Sequence, residues 1–123
     1  MGRFAARVRY AVQGIAHAFR TERHMRIHAA AAAIVMLLAA LLGVSALEWA
    51  ILIVMSAMVI AAELINTAVE RAVDLATIET HKLAKAAKDT AAGAVLAAAV
   101  AAAVVGSIIF IPYLWRVLMH ALD

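Results

Sequence analysis

Two long stretches without a charged side chain constrain this chain more than any other feature of its sequence. One covers residues 29–47 and the other residues 91–111, and a helix of about 20 residues is long enough to cross a ~30 Å hydrocarbon core. A third apolar run, residues 50–62, spans only if its helix continues through Glu63 to about Glu70. Hydrophobic residues make up 67% of the chain, against about 45–50% in soluble domains. The sequence therefore predicts an integral membrane protein.

The predicted fold is all-α, with three transmembrane helices that follow an N-terminal amphipathic surface helix. The surface helix covers residues 1–28, where apolar side chains recur at three- and four-residue spacings beside six arginines. We expect spans over residues 29–47, 49–70 and 90–111, a short turn around residues 47–49, and a cytoplasmic connection over residues 71–89. The whole chain, residues 1–123, is expected to form a single domain, without a removable signal peptide.

The positive residues predict the orientation. They are concentrated before the first span and between the second and third spans, so both segments should lie in the cytoplasm. Alanine-rich spans allow close helix approach, and three thin helices can hardly bury an acidic site alone, so we expect an oligomer. The chain has no cysteine, which excludes disulfides and Cys-ligated metals. The clustering of the positive charge argues against nucleic acid as a partner.

An acidic stripe lies where the second span ends. In a helix, Glu63, Asn66, Glu70 and Asp74 stay within a sector roughly 80° wide. Such a stripe beside membrane-length apolar sequence is expensive unless a cation lies there, and a divalent metal, alone or with a phosphate, is the candidate. Acidic oxygens with lysine and arginine nearby suit phosphoryl transfer. Because no glycine-rich phosphate-binding motif occurs, spacing alone leaves a kinase level with an ion-coupled transporter that uses Glu63 as its intramembrane carboxylate.

Three segments resemble the prokaryotic diacylglycerol kinase family of small three-span lipid kinases. They are ERHMRIH at residues 22–28, ELINTAVERAVDL at residues 63–75 and HKLAKAAKDTAAGAV at residues 81–95. The similarity extends from about residue 10 to residue 112, with the motifs in family order and spacing. Within the family, NTAVE, ERHMRIH and the pair Glu48–Trp49 are more similar to the undecaprenol kinase branch. His24 departs from that branch, which usually has asparagine there.

The resemblance implies a homotrimeric kinase of the bacterial inner (plasma) membrane that uses ATP and Mg²⁺ at cytoplasmic sites shared between subunits. The acceptor is a lipid hydroxyl, with undecaprenol preferred and diacylglycerol second. The resemblance also implies that Glu63 is the general base and that Glu22 and Glu70 hold the metal. The residues that it places at the nucleotide are Arg3, Tyr10, Gly14, Asn66, Glu70, Glu79, His81, Lys88 and Asp89.

Two further charged residues are candidates for a supporting role. Arg26 either anchors the chain to anionic headgroups or helps to bind phosphate. Asp74 either supports catalysis or pairs with Arg71 or Lys85. If Lys85 does not pair with Asp74, we expect it to anchor the chain to anionic lipid, as we expect of Lys82.

Two histidines and one glutamate have a simpler expected role. His24 and His28 stand four residues apart, which is the spacing of a helical metal pair. No third ligand follows at motif spacing, so we expect both histidines to face lipid headgroups. Glu48 is expected to be solvated outside the membrane.

Overall fold

The computed structural model describes residues 2–122, which form four α-helices. Three of them, α2, α3 and α4, are long and apolar enough to cross a membrane, which confirms the all-α architecture with three spanning helices. At 1.5 Å per residue, α3 is roughly 45 Å long and α4 roughly 60 Å, so both extend past a ~30 Å hydrocarbon core. The helices are α1 Gly2–Thr21, α2 Arg23–Leu42, α3 Ala46–Ala76 and α4 Lys82–Leu122.

The N-terminal segment divides at Glu22. This residue has an extended backbone, with φ −100° and ψ 121°, between α1 and α2. Residues 23–28, which were expected to belong to the surface helix, are therefore the first turns of α2. The Arg26 guanidinium donates to the Arg20 carbonyl oxygen at 3.3 Å and so satisfies an acceptor at the end of α1. Gly14, in contrast, does not interrupt α1.

The turn between α2 and α3 lies at residues 43–45, and the prediction of a turn around residues 47–49 is wrong. Gly43 adopts the left-handed conformation with φ +64°, which glycine accommodates without a steric cost. Ser45 then caps α3: its hydroxyl accepts from the Glu48 amide at 3.3 Å, and its own amide donates to the Glu48 carboxylate at 2.8 Å. This capping box fixes the start of α3, so Glu48 and Trp49 lie in its first turn.

Helices α3 and α4 pack antiparallel, because Tyr113 lies at Glu48 near one end of the pair and Lys88 lies at Asp74 near the other. The Tyr113 hydroxyl donates to the Glu48 carboxylate at 2.7 Å, so Glu48 is partnered by protein rather than simply solvated. α4 also continues through Pro112 to Leu122. An apolar cluster packs against Tyr113 next to this contact. It consists of Ala39, Val44, Leu52, Ile109 and Phe110.

The contact between Glu48 and Tyr113 yields a stability prediction. Tyr113→Phe removes a hydrogen bond to a charged acceptor, so the apparent unfolding temperature in detergent should fall by a few degrees. The matched control is Tyr10→Phe, because Tyr10 is 61% exposed on α1 and its change should leave the unfolding temperature as it is. Equal unfolding temperatures for the two variants would show that the hydroxyl of Tyr113 does not stabilise the packing of α3 on α4.

Candidate active site

Helix α3 places the first part of the acidic stripe, Glu63 and Asn66, on its inward face, whereas Asp74 is exposed. The side chains of Glu63, Asn66 and Thr67 are buried, and Glu63 is only 4% exposed. A single chain therefore buries an acidic group, contrary to the expectation that three thin helices can hardly do so alone. The physical reason is that α2 packs a polar side chain, His28, against this turn of α3 instead of an apolar one.

His28 faces Glu63, not the lipid headgroups. Its Nε2 lies 3.9 Å from Oε2 of Glu63, and the side chains of His28 and Glu63 are 21% and 5% exposed. This distance exceeds that of a hydrogen bond but lies within the range of electrostatic pairing. Within residues 2–122 no three His, Asp or Glu side chains are grouped to hold a metal ion, so the pair His24 and His28 gains no third ligand there.

Asn66 and Glu70 form the middle of the stripe. Nδ2 of Asn66 donates to Oε1 of Glu70 at 3.4 Å, whereas the buried Oδ1 of Asn66 has no hydrogen-bond partner among residues 2–122. A buried oxygen without a donor is costly, and a bound cation would satisfy it. Mg²⁺ takes oxygen ligands and is usually held by one or two carboxylates together with phosphates and water. The residues present therefore fit Mg²⁺.

Arg71, which follows Glu70 on α3, forms an ion pair with Glu22. The Arg71 guanidinium donates to Oε1 of Glu22 at 3.0 Å and to the Thr21 hydroxyl at 2.7 Å. Because Arg71 directly follows Glu70, this contact holds the junction of α1 and α2 beside the metal candidates of α3. Sequence reasoning missed the pair, since it considered Arg71 only as a partner of Asp74.

A mixed-charge pocket follows where α3 ends and α4 begins. It has a volume of about 290 Å³ and includes all of residues 77–81 in its wall. Lys88 pairs with Asp74, and Lys85 pairs with Asp89 one turn along α4. Asp74 thus has Lys88 as its partner, not Arg71 or Lys85, and Lys85 has a protein partner in addition to any lipid. The charged and titratable residues of the wall are Asp74, Glu79, His81, Lys85, Lys88 and Asp89.

The segment between the helices is held by local contacts. The Glu79 amide donates to the Thr77 hydroxyl at 3.2 Å, and Nδ1 of His81 accepts from the Leu83 amide at 3.1 Å. The imidazole thereby caps the first turn of α4, where backbone amides lack a partner within the helix. Glu79 and His81, which the resemblance placed at the nucleotide, are exposed on this pocket.

The three nucleotide candidates of α1 do not reach the stripe within one chain. Arg3, Tyr10 and Gly14 are exposed, and Ala18 is the residue of α1 that is buried. Arg26 is engaged with the end of α1. Among residues 2–122, the structure records no hydrogen bond or ion pair between these four residues and the acidic stripe.

The parts of the site follow one another along α3. At 1.5 Å per residue, Glu70 lies about 10 Å and Asp74 about 16 Å along the helix from Glu63. A buried carboxylate therefore stands at one end, oxygen ligands lie in the middle, and a pocket with lysines lies at the other end. This order suits an elongated anion. One end of the anion would lie at Glu63, a cation bound to the anion would lie at the oxygen ligands, and the rest of the anion would lie in the pocket with lysines.

The chain is similar to a known family of proteins. The family described as prokaryotic diacylglycerol kinase matches residues 9–110. The chain is 44% identical over 114 residues to the undecaprenol kinase of Bacillus subtilis, which covers 93% of both chains. It is 47% identical over 105 residues to a diacylglycerol kinase of Synechocystis sp., covering 85% of this chain and 60% of that protein. A diacylglycerol kinase of Haemophilus influenzae is 35% identical over 103 residues, covering 83% of this chain and 87% of that protein.

The family match spans most of the chain and contains every part of the site on α2, α3 and the start of α4. It includes the buried Glu63, the pair of Asn66 and Glu70, and the pocket with Lys88. The comparisons do not favour the transporter that spacing alone had left open. The chain belongs to the prokaryotic diacylglycerol kinase family.

Proposed function

We propose that the protein is a lipid kinase that transfers the γ-phosphate of ATP, with Mg²⁺, to the hydroxyl of a membrane lipid. The observation that carries this proposal is the order of groups along α3, from the buried Glu63 to the pocket with Lys88. A lipid hydroxyl can reach Glu63 from the bilayer, whereas a nucleotide reaches the pocket from water. Membership of a family of lipid kinases supports the same assignment.

The chemistry is a direct in-line transfer without a covalent enzyme intermediate. Glu63 takes the proton of the hydroxyl as its oxygen bonds to the γ-phosphorus and the bond to the leaving oxygen of ADP breaks. Glu22 and Glu70, with Oδ1 of Asn66, would hold Mg²⁺, which neutralises charge on the phosphates when bound. When ATP binds, Lys88 leaves Asp74 and contacts the phosphates. Asp89 keeps its ion pair with Lys85. Glu79 and His81 contact the adenosine part.

Undecaprenol is the proposed acceptor, with diacylglycerol as the alternative. The chain aligns with 93% of the Bacillus subtilis enzyme that is named undecaprenol kinase. An apolar groove of about 460 Å³ runs between α2 and α4 and has His28 in its wall near the site. From Ala99 to Leu114 the groove follows α4 for about 22 Å, which is most of a ~30 Å hydrocarbon core. A long apolar chain can lie along it with its hydroxyl at Glu63.

The proposal includes a homotrimer in the bacterial plasma membrane, with the N-terminus and the sites in the cytoplasm. Arg3, Tyr10 and Gly14 are exposed, and among residues 2–122 no hydrogen bond or ion pair joins them to the stripe, so a neighbouring subunit would bring them to the nucleotide. Large apolar side chains on α2, such as Leu37 and Leu41, are 61% and 75% exposed. Lipid and neighbouring subunits would cover these side chains.

The first test is transfer of labelled γ-phosphate from ATP to undecaprenol and to diacylglycerol in mixed micelles. Glu63→Gln should lower turnover at least 10²–10³-fold and leave ATP affinity unchanged, because Gln keeps the shape of the side chain but is no base. Glu48→Gln is the matched control at the far end of α3 and should keep full turnover. Full turnover of the Glu63 variant would remove Glu63 as the base.

The role of Glu70 predicts a change in metal dependence. Glu70→Gln removes a charged oxygen ligand, so the Mg²⁺ concentration for half-maximal activity should rise about tenfold or more, and high Mg²⁺ should restore much of the turnover. The measurement is a Mg²⁺ titration at saturating ATP. An unchanged titration curve would exclude Glu70 as a ligand.

The groove predicts a variant that affects the lipid alone. Ala102→Leu adds three carbon atoms to the groove wall, so the KM for the long-chain lipid should rise several-fold while the KM for ATP stays constant. Ala101→Leu is the matched control, because Ala101 neighbours Ala102 on α4, is exposed and lies outside the groove wall. Equal effects of the two variants on the lipid KM would mean that the groove does not hold the lipid chain.

A further inference from the structure

We infer that His28 receives from Glu63 the proton that Glu63 has taken from the lipid hydroxyl, and passes this proton to water. The general base of this kinase is then a carboxylate–imidazole pair contributed by α3 and α2. The inference rests on the proposed function, because it concerns a later event at the same site. His28 acts through Glu63 and is therefore a positioning residue for proton transfer.

The burial of Glu63 creates the need for such a partner. Its side chain is 5% exposed and lies on a helix that is long and apolar enough to cross a membrane. An ionised carboxylate in such a place is costly unless it is paired. A carboxylate that has just taken a proton must also lose it before the next turnover, and Glu63 has little direct access to water.

A neutral His28 is placed to take the proton from Glu63. Among the ion pairs of residues 2–122, Glu63 takes part only in the pair with His28. The imidazole is also more exposed than the carboxylate, at 21% against 5%. The distance of 3.9 Å between Nε2 and Oε2 closes to a hydrogen bond by a movement of about 1 Å, or is bridged by one water molecule.

The other surroundings of His28 offer no competing group. In the groove that it shares with α3 and α4, the neighbouring residues are uncharged and mostly small. From α3 the charged group that faces it is Glu63, and α4 presents only alanine, glycine, serine and apolar side chains to this groove. No ion pair among residues 2–122 joins His28 to α1. In the part of the chain that the structure describes, His28 is thus the one titratable residue in the wall of this groove.

The proton balance is complete without any further reagent. The hydroxyl oxygen forms its bond to phosphorus, the bond to the leaving oxygen of ADP breaks, and the hydroxyl proton moves to Glu63. Nε2 of a neutral His28 then takes this proton, and the imidazolium releases a proton from Nδ1 to water. Proton exchange with water returns the ring to the tautomer with its proton on Nδ1 before the next turnover. An imidazole ring has two nitrogens, so it can accept a proton at one and release a proton from the other.

The experiment is chemical rescue of His28→Ala by imidazole, with γ-phosphate transfer as the assay. His28→Ala should lower kcat about 10²-fold, at the lower end of the range for a proton-transfer group, and leave the KM for ATP unchanged. Added imidazole should restore a large part of kcat in a saturable way, with a pH dependence that follows neutral imidazole. His28→Gln, which keeps polarity and bulk, should be slow without being rescued.

The matched control is His24→Ala, since His24 is an exposed histidine one turn earlier on α2. It should keep its turnover and show no response to imidazole. Full activity of both His28 variants would overturn the inference, and so would a slow His28→Ala enzyme that binds ATP normally but is not rescued by imidazole. If the unmodified protein transferred phosphate to no lipid, the proposed function itself would fail, and the inference with it.

Discussion

A buried carboxylate on a membrane-length helix is the constraint on which the rest of the structure depends. Glu63 is 4% exposed on α3, and such a group is tolerated only where its charge is balanced and its protons can be exchanged. His28 on α2 is the ion-pair partner of Glu63 and balances its charge when the imidazole is protonated. The uncharged groove beside His28 keeps other titratable groups away. In the proposed kinase this carboxylate acts on a lipid hydroxyl.

Helix α3 carries out two tasks at its two ends. At its first turn, the capping box of Ser45 and Glu48 and the contact with Tyr113 fix the helix against α4. At its last turns, the stripe and the pairing of Asp74 with Lys88 form the candidate site. One helix thus joins a packing contact at its first turn to the candidate site, which begins at Glu63, about 22 Å along the helix from Glu48.

The ion pairs show where inference from sequence was limited. The stripe was predicted correctly, because its members share one helix and their directions follow from the 3.6-residue period. Their partners were not. Asp74 pairs with Lys88, and Arg71 pairs with Glu22, whereas sequence reasoning offered Arg71 or Lys85 for Asp74. Several cations lie close enough along the chain, and the choice among them depends on how the helices are rotated against one another.

The sequence by itself determined the all-α architecture, the three spanning helices, the acidic stripe and the family. These depend on local periodicity, on run length and on motif order, which a single helix or a single alignment contains. Only the tertiary structure decided that Glu22 breaks the first helix from the second, that His28 faces Glu63, and that one chain buries this carboxylate. The reason is that these features depend on the rotation and register between helices, and uniform alanine-rich surfaces leave both open until the helices pack.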